Sequence, residues 1–344
     1  MKISRNRRKR TSAGKLILFA LVAVCLGVLI GAGGTVKENF RNAASHDAAP
    51  EKGLVNTEQA GGSKVYFTAD ISSKGVLAAY RALGVPVSGK VAVKLHMGEP
   101  GNQNYLRPEL LKDLVETVKG SFVDSNTAYG GRRGNTQAHL QAAKEHGFTY
   151  APVDILDSDG EIKLPINNGK HLTEALLGSH INNYDWIISV AHFKGHSLAG
   201  YGGTFKNLAV GIATPAGKRA IHSDPGGAMF STRGEPFFEK VIEYNMALVN
   251  SKPGKMLYIN ILNNLSTDCD CMANASSPSM PDIGILSSLD PVALEKASLD
   301  MIYARPAAER KALVERIESR GGVYQVIYGE KMGLGSQKYE LIKL

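Results

Sequence analysis

The sequence predicts an α/β fold, with a mostly parallel sheet, helices on both faces and a single domain. Short apolar runs alternate with amphipathic stretches of helical period from residue 64 to residue 344, and this alternation is typical of strand–helix–strand units. No composition change that would mark an internal boundary interrupts those residues. An apolar share of 43% is ordinary for a globular protein, so we expect a well-filled core.

The individual elements follow from this pattern. Apolar runs predict strands at 64–70, 90–96, 121–125, 151–157, 186–192, 255–262 and 282–288, and amphipathic stretches predict helices at 72–84, 107–120, 135–148, 171–185, 235–250 and 290–304. The last helix has the clearest start, because Asp290 suits the N-cap and Pro291 suits the first helical position.

A basic flank and an apolar segment precede the predicted domain. Residues 1–15 carry seven Lys or Arg and no acid, and residues 16–34 carry no charge. The apolar length suits a membrane-spanning helix of about 20 residues, so we expect a single-pass cell-membrane anchor with the C-terminal domain outside the cytoplasm. A signal peptide, whose cleavage leaves a secreted or periplasmic protein, is the alternative. We expect residues 35–63 to form a flexible tether. We expect residues 64–344 to form the α/β domain.

The net charge of +8 reflects that flank, because the rest of the chain is near +1. No stripe of Lys and Arg with interleaved aromatic residues occurs elsewhere, so a nucleic-acid partner is not expected. The sequence indicates no protein partner.

Polar residues follow several predicted strands. Lys94 and His96 end one apolar run, Asp124 ends the next, and His192 ends a third. Ligands of open α/β sheets bind beyond the carboxyl ends of the strands. The sequence therefore predicts a ligand site at this edge, with Lys94 and His96 among its binding residues.

Two glycine-rich basic segments supply further candidates. Over 191–227 we expect a long, irregular functional loop. Its basic residues Lys194, Lys206 and Arg219 suit the binding of an anionic small molecule. Its three histidines, His192, His196 and His222, suit metal binding or proton transfer. In 129–135, Arg132 precedes a predicted helix and suits an anion. The alternative for both segments is a surface loop with solvated charges.

The segment "DCDC" holds Cys269 and Cys271, two of the three cysteines. A disulfide between them is disfavoured, because disulfides prefer Cα atoms about 5.5–6 Å apart. Four possibilities stay open: a strained disulfide, a redox pair, two metal ligands, or small residues in a tight loop. A tetrahedral metal would need further ligands from the histidines or from aspartates such as Asp268.

Three blocks, "VAVKLHMGEPGN", "FKGHSLAGYGGTFKNLAVG" and "DCDCMANASSPSMPDIGILSSLDPVALEKASLD", make residues 64–304 resemble the domain-of-unknown-function 362 family. The family's activity is largely unassigned. The resemblance adds Asn207 to the motif positions, beside Lys194, His196 and the two cysteines. Many relatives carry a ferredoxin-type segment, but this chain has no Cys-x-x-Cys, so no ferredoxin-type iron–sulfur cluster is expected.

These observations predict a membrane-anchored extracytoplasmic domain that binds an anionic small molecule and a transition metal. If it is an enzyme, His196 is the candidate proton carrier, with Lys194 beside it. Cys269, Cys271, His192 and Asp268 are the candidate metal ligands. A non-catalytic ligand- or metal-binding protein of the cell envelope, or a thiol redox protein, is the alternative.

Overall fold

A computed structural model of the protein describes residues 61–344. The basic flank 1–15, the apolar segment 16–34 and all but the end of the tether 35–63 lie outside the described residues. Among the residues that are described, none of the helices combines the length and the apolar character that a membrane span requires.

The described chain alternates strands and helices, as the sequence predicts. The strands are β1 Ser63–Thr68, β2 Val91–Lys94, β3 Ser121–Asp124, β4 Val153–Ile155, β5 Glu161–Pro165, β6 Glu174–Gly178, β7 Trp186–His192, β8 Lys194–His196, β9 Gly200–Gly202, β10 Met256–Leu262, β11 Gly284–Ser288 and β12 Tyr339–Lys343. The α-helices are α1 Ser73–Ala82, α2 Lys112–Val118, α3 Thr136–Glu145, α4 Thr204–Ala209, α5 Pro215–His222, α6 Glu235–Ser251, α7 Pro291–Tyr303, α8 Ala307–Ser319 and α9 Tyr324–Lys331. Short 3-10 turns cover Pro108–Leu111 and Ser179–Asn183.

Eight strands form the main sheet in the order β12-β1-β11-β10-β7-β2-β3-β4. Every neighbouring pair is parallel except those that include β11, which runs antiparallel to β1 and to β10. The predicted mostly parallel sheet is therefore confirmed. Its parallel order brings the carboxyl ends of β2, β3, β7 and β10 to one edge.

Two apolar cores lie on opposite faces of this sheet. Successive residues of β7 alternate between them, with Ile187 in one core and Ile188 in the other. Helices α1 and α2 cover one face, and α4 to α9 contribute to the core on the other. Burying an aliphatic side chain of this kind contributes about 1.5–3 kcal/mol, so the sheet is stabilised from both sides.

Asp290 is the N-cap of α7, as predicted. Its Oδ1 accepts hydrogen bonds from the amides of Val292 (2.8 Å) and Ala293 (3.0 Å). Its Oδ2 accepts from the Ser63 hydroxyl (2.7 Å) and the Ser336 amide (2.8 Å). One carboxylate thereby joins the start of β1, the start of α7 and the turn before β12.

The predicted helix at 171–185 is wrong. This segment contains β6, which pairs antiparallel with β5, and a 3-10 turn. Ala175 and Leu177 are buried and Leu176 is half-buried, which is the two-residue period of a strand. Pairing with β5 overrides the local helical preference of "EALL".

The predicted long irregular loop at 191–227 is also wrong. This stretch contains the end of β7, the β8–β9 hairpin and helices α4 and α5. The Thr214 hydroxyl accepts from the Gly217 amide (3.1 Å), with Pro215 at the first turn of α5. This cap and proline are a helix-start signal. Because residues 215–222 are helical, Lys218 and Arg219 have fixed positions on the helix surface.

Candidate functional site

A small pocket lies at the carboxyl edge of the sheet. It has a volume of about 40 Å³ and is bounded by the ends of β2 and β3, the β8–β9 hairpin, helices α4 and α5 and the "DCDC" loop. Its lining includes one carboxylate, Asp124, and five basic side chains: Lys94, Arg133, Lys194, Lys206 and Lys218.

The Lys94–Asp124 ion pair forms one wall. Lys94 Nζ lies 3.1 Å from Asp124 Oδ1, and both side chains are buried. Lys94 also donates to its neighbour's carbonyl at Leu95 (2.8 Å) and to Asn207 Oδ1 (3.0 Å). Burial alone would raise the pKa of Asp124, but Lys94 and His139 hold it well below its usual value. The aspartate is therefore a fixed negative charge in this wall.

Asn207 connects this wall to the sheet. Its Nδ2 donates to the Lys94 carbonyl (3.0 Å) and to Ser189 Oγ (3.0 Å), while its Oδ1 accepts from the Lys94 ammonium. The amide group has bonds on both ends, so Asn207 orients Lys94. His96 also lines the pocket, and its Nδ1 accepts from the Gly98 amide (3.0 Å).

Of the two adjacent arginines, the pocket includes Arg133. Its Nε donates to Glu99 Oε2 (2.9 Å), and its Nη1 lies 3.5 Å from Asp124 Oδ2. Arg132, which the sequence predicts as the anion ligand, is exposed and pairs with Glu145 (2.8 Å). The structure thus places Arg132 outside the site.

The same one-residue difference occurs on α5. Lys218 is buried and lines the pocket, whereas the predicted Arg219 is exposed and is not part of the lining. Ile221 stands three positions after Lys218 and is also buried. Residues three apart share a helix face, so this spacing is the signal that could have identified Lys218.

Lys194 and His192 meet at Asp270. Lys194 Nζ lies 3.1 Å from Asp270 Oδ2 and donates to the His192 carbonyl (2.9 Å). His192 Nδ1 is 2.9 Å from the same carboxylate, and its Nε2 is 2.7 Å from the Asn263 carbonyl. Both ring nitrogens contact oxygen atoms, and His192 is not among the groups that converge with the cysteines. The structure therefore does not bring this predicted metal ligand to the cysteine pair.

Cys269, Cys271 and His196 come together. One ligand atom from each lies within 4.8 Å of the others. The thiols are free, and the Cys271 amide donates to Cys269 Sγ (3.4 Å). A hydrogen bond from the Cys271 thiol is the main reason that the pKa of Cys269 lies well below its usual value, against the opposing effect of burial, with Lys206 and His196 adding to it. Cys269 is therefore the more acidic thiol of the pair.

His196 is oriented by its own turn. Its Nδ1 accepts from the backbone amides of Leu198 (3.1 Å) and Ala199 (3.0 Å), which leaves Nε2 for the hydrogen bond to Cys269. Burial, followed by nearby Lys206, lowers the pKa of His196 to about 4. At neutral pH the ring is neutral with its proton on Nε2. This arrangement suits a hydrogen-bond donor to Cys269 better than the predicted proton carrier.

Asp268, another predicted metal ligand, is directed elsewhere. Its Oδ2 accepts from the Ser276 hydroxyl (2.5 Å) and amide (3.1 Å), and its Oδ1 lies 3.5 Å from Arg316. It orders the loop and is not among the three groups that converge. His222 is buried on α5 and its Nδ1 lies 2.7 Å from the Lys218 carbonyl, so it is not in that cluster either.

Two hydroxyl groups of the lining have no hydrogen-bond partner among the described residues: Ser125 Oγ and Tyr129 Oη. Buried polar groups are nearly always paired, and an unpaired one costs about 1–3 kcal/mol. These hydroxyls were not among the predicted site residues. They are available to a ligand that carries acceptor atoms.

Glu295 lies behind the pocket and supports it. Its Oε1 accepts from the Thr204 amide and from Asn260 Nδ2 (3.1 Å), so it anchors the start of α4, which carries Lys206 and Asn207. A Cβ at Gly203 would lie 2.4 Å from Oε1, so only glycine allows this approach. Burial raises the pKa of Glu295 to about 7.

The family model described as "Domain of unknown function (DUF362)" matches residues 91–300. No curated protein matches. Among solved structures, the lactate racemase apoprotein from Thermoanaerobacterium thermosaccharolyticum is similar at a TM-score of 0.37 and 16% identity, over 61% of this chain and 52% of that one. A protein from Thermotoga maritima is similar at a TM-score of 0.36 and 10% sequence identity. The match covers 75% of this chain and 58% of that one. The chain thus spans about half the length of the first and somewhat more of the second.

Glu295 predicts a pH dependence of stability. The folded protein keeps this proton up to about pH 7, whereas the usual pKa is 4.5. The resulting stabilisation is complete below pH 4.5 and is lost as the pH rises through about 7, a change of about 3 kcal/mol. We expect Glu295→Gln to remove this decline, as measured by urea unfolding from pH 4 to pH 8.

The control for this measurement is Glu116→Gln, since Glu116 is exposed. Its curve should run parallel to that of the unchanged protein. If the Glu295→Gln curve is also parallel to it, Glu295 does not titrate in this range and the assignment is wrong.

Proposed function

Because this chain belongs to the DUF362 family, whose name assigns no activity, we propose a function from the pocket itself: it binds a small anionic molecule beside a soft transition metal held by Cys269 and Cys271. The observation that carries the proposal is the convergence of two sulfurs and one imidazole within 4.8 Å. Both sulfurs belong to the lining of a pocket that also carries five basic side chains.

The anion is supported by the groups that lack partners. Three basic side chains of the lining already have a carboxylate partner: Lys94 pairs with Asp124, Lys194 with Asp270 and Arg133 with Glu99. For Lys206, no carboxylate of the described residues lies within ion-pair distance, and it faces the cavity. An oxyanion would accept from this ammonium in a charge-assisted bond.

The two unpartnered hydroxyls, Ser125 Oγ and Tyr129 Oη, also support an oxyanion as the ligand. Each would donate to an oxygen of the ligand, which would remove the cost of leaving it unpaired. A volume of about 40 Å³ limits the ligand to a few heavy atoms.

The metal is supported by the chemistry of the donors. Thiolates select soft or borderline ions such as zinc and copper(I), and imidazole accepts the same ions. Cys271 must lose its proton before it binds a metal, and the thiol of Cys269 loses its own more readily. His196 can bind through Nε2 only if its proton moves to Nδ1, which then no longer accepts from the Leu198 and Ala199 amides. Metal uptake should therefore release protons, and affinity should rise with pH. A bound metal would polarise an oxygen of the ligand.

The metal site predicts a stoichiometric, thiol-dependent complex. We expect the purified protein to bind about one Zn²⁺ or Co²⁺, with a thiolate-to-cobalt absorption band, and to release protons on binding. Cys269→Ser should weaken binding at least tenfold, and His196→Gln should weaken it about tenfold. Titration calorimetry and cobalt spectroscopy measure these effects.

The matched control is His180→Gln, because His180 binds Asp154 and Asp159 at the surface. It should leave the affinity unchanged. Full metal binding by a Cys269→Ser, Cys271→Ser double variant would contradict the proposed ligands. Absence of metal together with reversible oxidation of both thiols would instead identify a redox pair.

The anion site makes a separate prediction about Lys206. In metal-free protein, Lys206→Gln should weaken binding of phosphate or acetate about tenfold, because a hydrogen bond to a charged group contributes about 1.5–3 kcal/mol. Calorimetry at fixed ionic strength measures this. Arg219→Gln removes a basic side chain that lies outside the pocket and should have no effect. Equal losses in the two variants would mean that binding depends on overall charge rather than on this pocket.

We also propose that the apolar segment 16–34 anchors the protein in the cell membrane, with the α/β domain outside the cytoplasm. The support is the basic flank 1–15, since such flanks stay cytoplasmic. After an alkaline wash of membranes, the full chain should remain in the pellet, and a chain that lacks residues 1–34 should be soluble. Recovery of a shortened, soluble mature form from cells expressing the full chain would favour a cleaved signal instead.

A further inference from the structure

Lys218 is a buried lysine whose surroundings differ from those of the two other buried lysines of the pocket, Lys94 and Lys194. It is 4% exposed, lies on the buried face of α5 and lines the cavity. Its Nζ donates to the Ala213 carbonyl (2.5 Å). No carboxylate of the described residues lies within ion-pair distance of it, whereas Lys94 and Lys194 each have one. One carbonyl is a sufficient hydrogen-bond partner for a neutral amine, but it does not offset the free-energy cost of burying a charged ammonium group.

Burial and the charges around Lys218 together lower its pKa, although the charges act in both directions. Burial is the main cause that lowers its pKa, to about 7; Asp124 and Asp157 oppose this shift, and Lys94 and Arg133 add to it. His139 and His222 also lie near enough to interact with it electrostatically. At neutral pH a large fraction of Lys218 is therefore the free amine, which has a lone pair available for reaction.

We propose that Lys218 is a nucleophile that forms a Schiff base with a small 2-oxo acid bound in this pocket. The inference rests on the proposed anion site, because Lys206 and the unpartnered hydroxyls of Ser125 and Tyr129 would hold the carboxylate. The carbonyl carbon next to that carboxylate would then meet the amine. A basic lining, a free amine and a cavity for a few heavy atoms together select this class of ligand.

The reaction balances without a cofactor. The Lys218 lone pair forms a bond to the carbonyl carbon, and the C=O π electrons move to oxygen. The two amine hydrogens leave with that oxygen as water, and the resulting imine takes one proton from solvent to become an iminium ion. A lysine with a lowered pKa favours the first step, because only its neutral form attacks.

Reductive trapping tests this proposal on the full-length protein. With glyoxylate or pyruvate and cyanoborohydride, the C=N bond is reduced to a stable secondary amine. We expect one adduct per chain, located on Lys218 by peptide mass spectrometry. The labelling rate should rise with pH through a midpoint near 7, in contrast to an ordinary lysine with a pKa of about 10.4.

A swap of neighbours is the matched control. Lys218→Arg with Arg219→Lys keeps the composition and moves the amine from the cavity to the exposed position 219. Labelling at pH 7 should fall more than tenfold. Lys218→Met, with circular dichroism to verify folding, provides a second variant. Lys206→Gln should also reduce labelling, and propanal, which lacks a carboxylate, should label at most one tenth as fast.

The labelling and phosphate-binding experiments distinguish a failure of the role proposed for Lys218 from a failure of the proposed anion site. Adducts spread over surface lysines, or none, while phosphate binding depends on Lys206, would overturn the role of Lys218 and leave the anion site intact. Absence of both labelling and Lys206-dependent phosphate binding would overturn the anion site as well. Equal labelling by propanal would overturn the assignment of a 2-oxo acid.

Discussion

The buried ion pair between Lys94 and Asp124 is the interaction on which the pocket depends. The two residues end the adjacent strands β2 and β3, and their charged atoms are 3.1 Å apart with almost no solvent contact. Removing one partner of such a pair costs about 3–5 kcal/mol, because the other charge is left uncompensated. The pair therefore constrains every group that touches it: Asn207 through Lys94, and Arg133 through Asp124.

A second buried carboxylate, Asp270, does the same for the opposite wall. It lies in the "DCDC" loop between the two cysteines and holds Lys194 and His192 at the end of β7. Burial would raise its pKa, but His192 and Lys194 hold it well below the usual value. Because Asp270 is fixed to the sheet, the sulfurs on either side of it are brought to His196. The aspartate in the middle of the motif thus has a structural role, since its carboxylate pairs with Lys194 and His192.

These two carboxylates leave the pocket with groups in contrasting states. Lys94 and Lys194 are paired with carboxylates, whereas Lys206 faces the cavity without one. Lys218 also lacks a carboxylate partner among the described residues, and burial lowers its pKa to about 7. The thiols divide likewise, since one hydrogen bond between them lowers the pKa of Cys269 and raises that of Cys271. Burial and the partners of each group thus give chemically identical side chains of this pocket different pKa values.

The sequence by itself determined the α/β class, the mostly parallel sheet, the cap at Asp290 and the edge where polar side chains collect, because hydrophobic period and strand-end position are local properties. One pocket of the structure is lined by several residues that the sequence named as candidates: Lys94, His96, Lys194, Lys206 and the two cysteines. Only the tertiary structure decided between Arg132 and Arg133 and between Lys218 and Arg219. One residue of each pair faces the cavity and the other faces solvent, a difference of direction set by packing against the sheet. The tertiary structure likewise decided that His192 binds Asp270, since hydrogen-bond partners 78 residues apart leave no local trace.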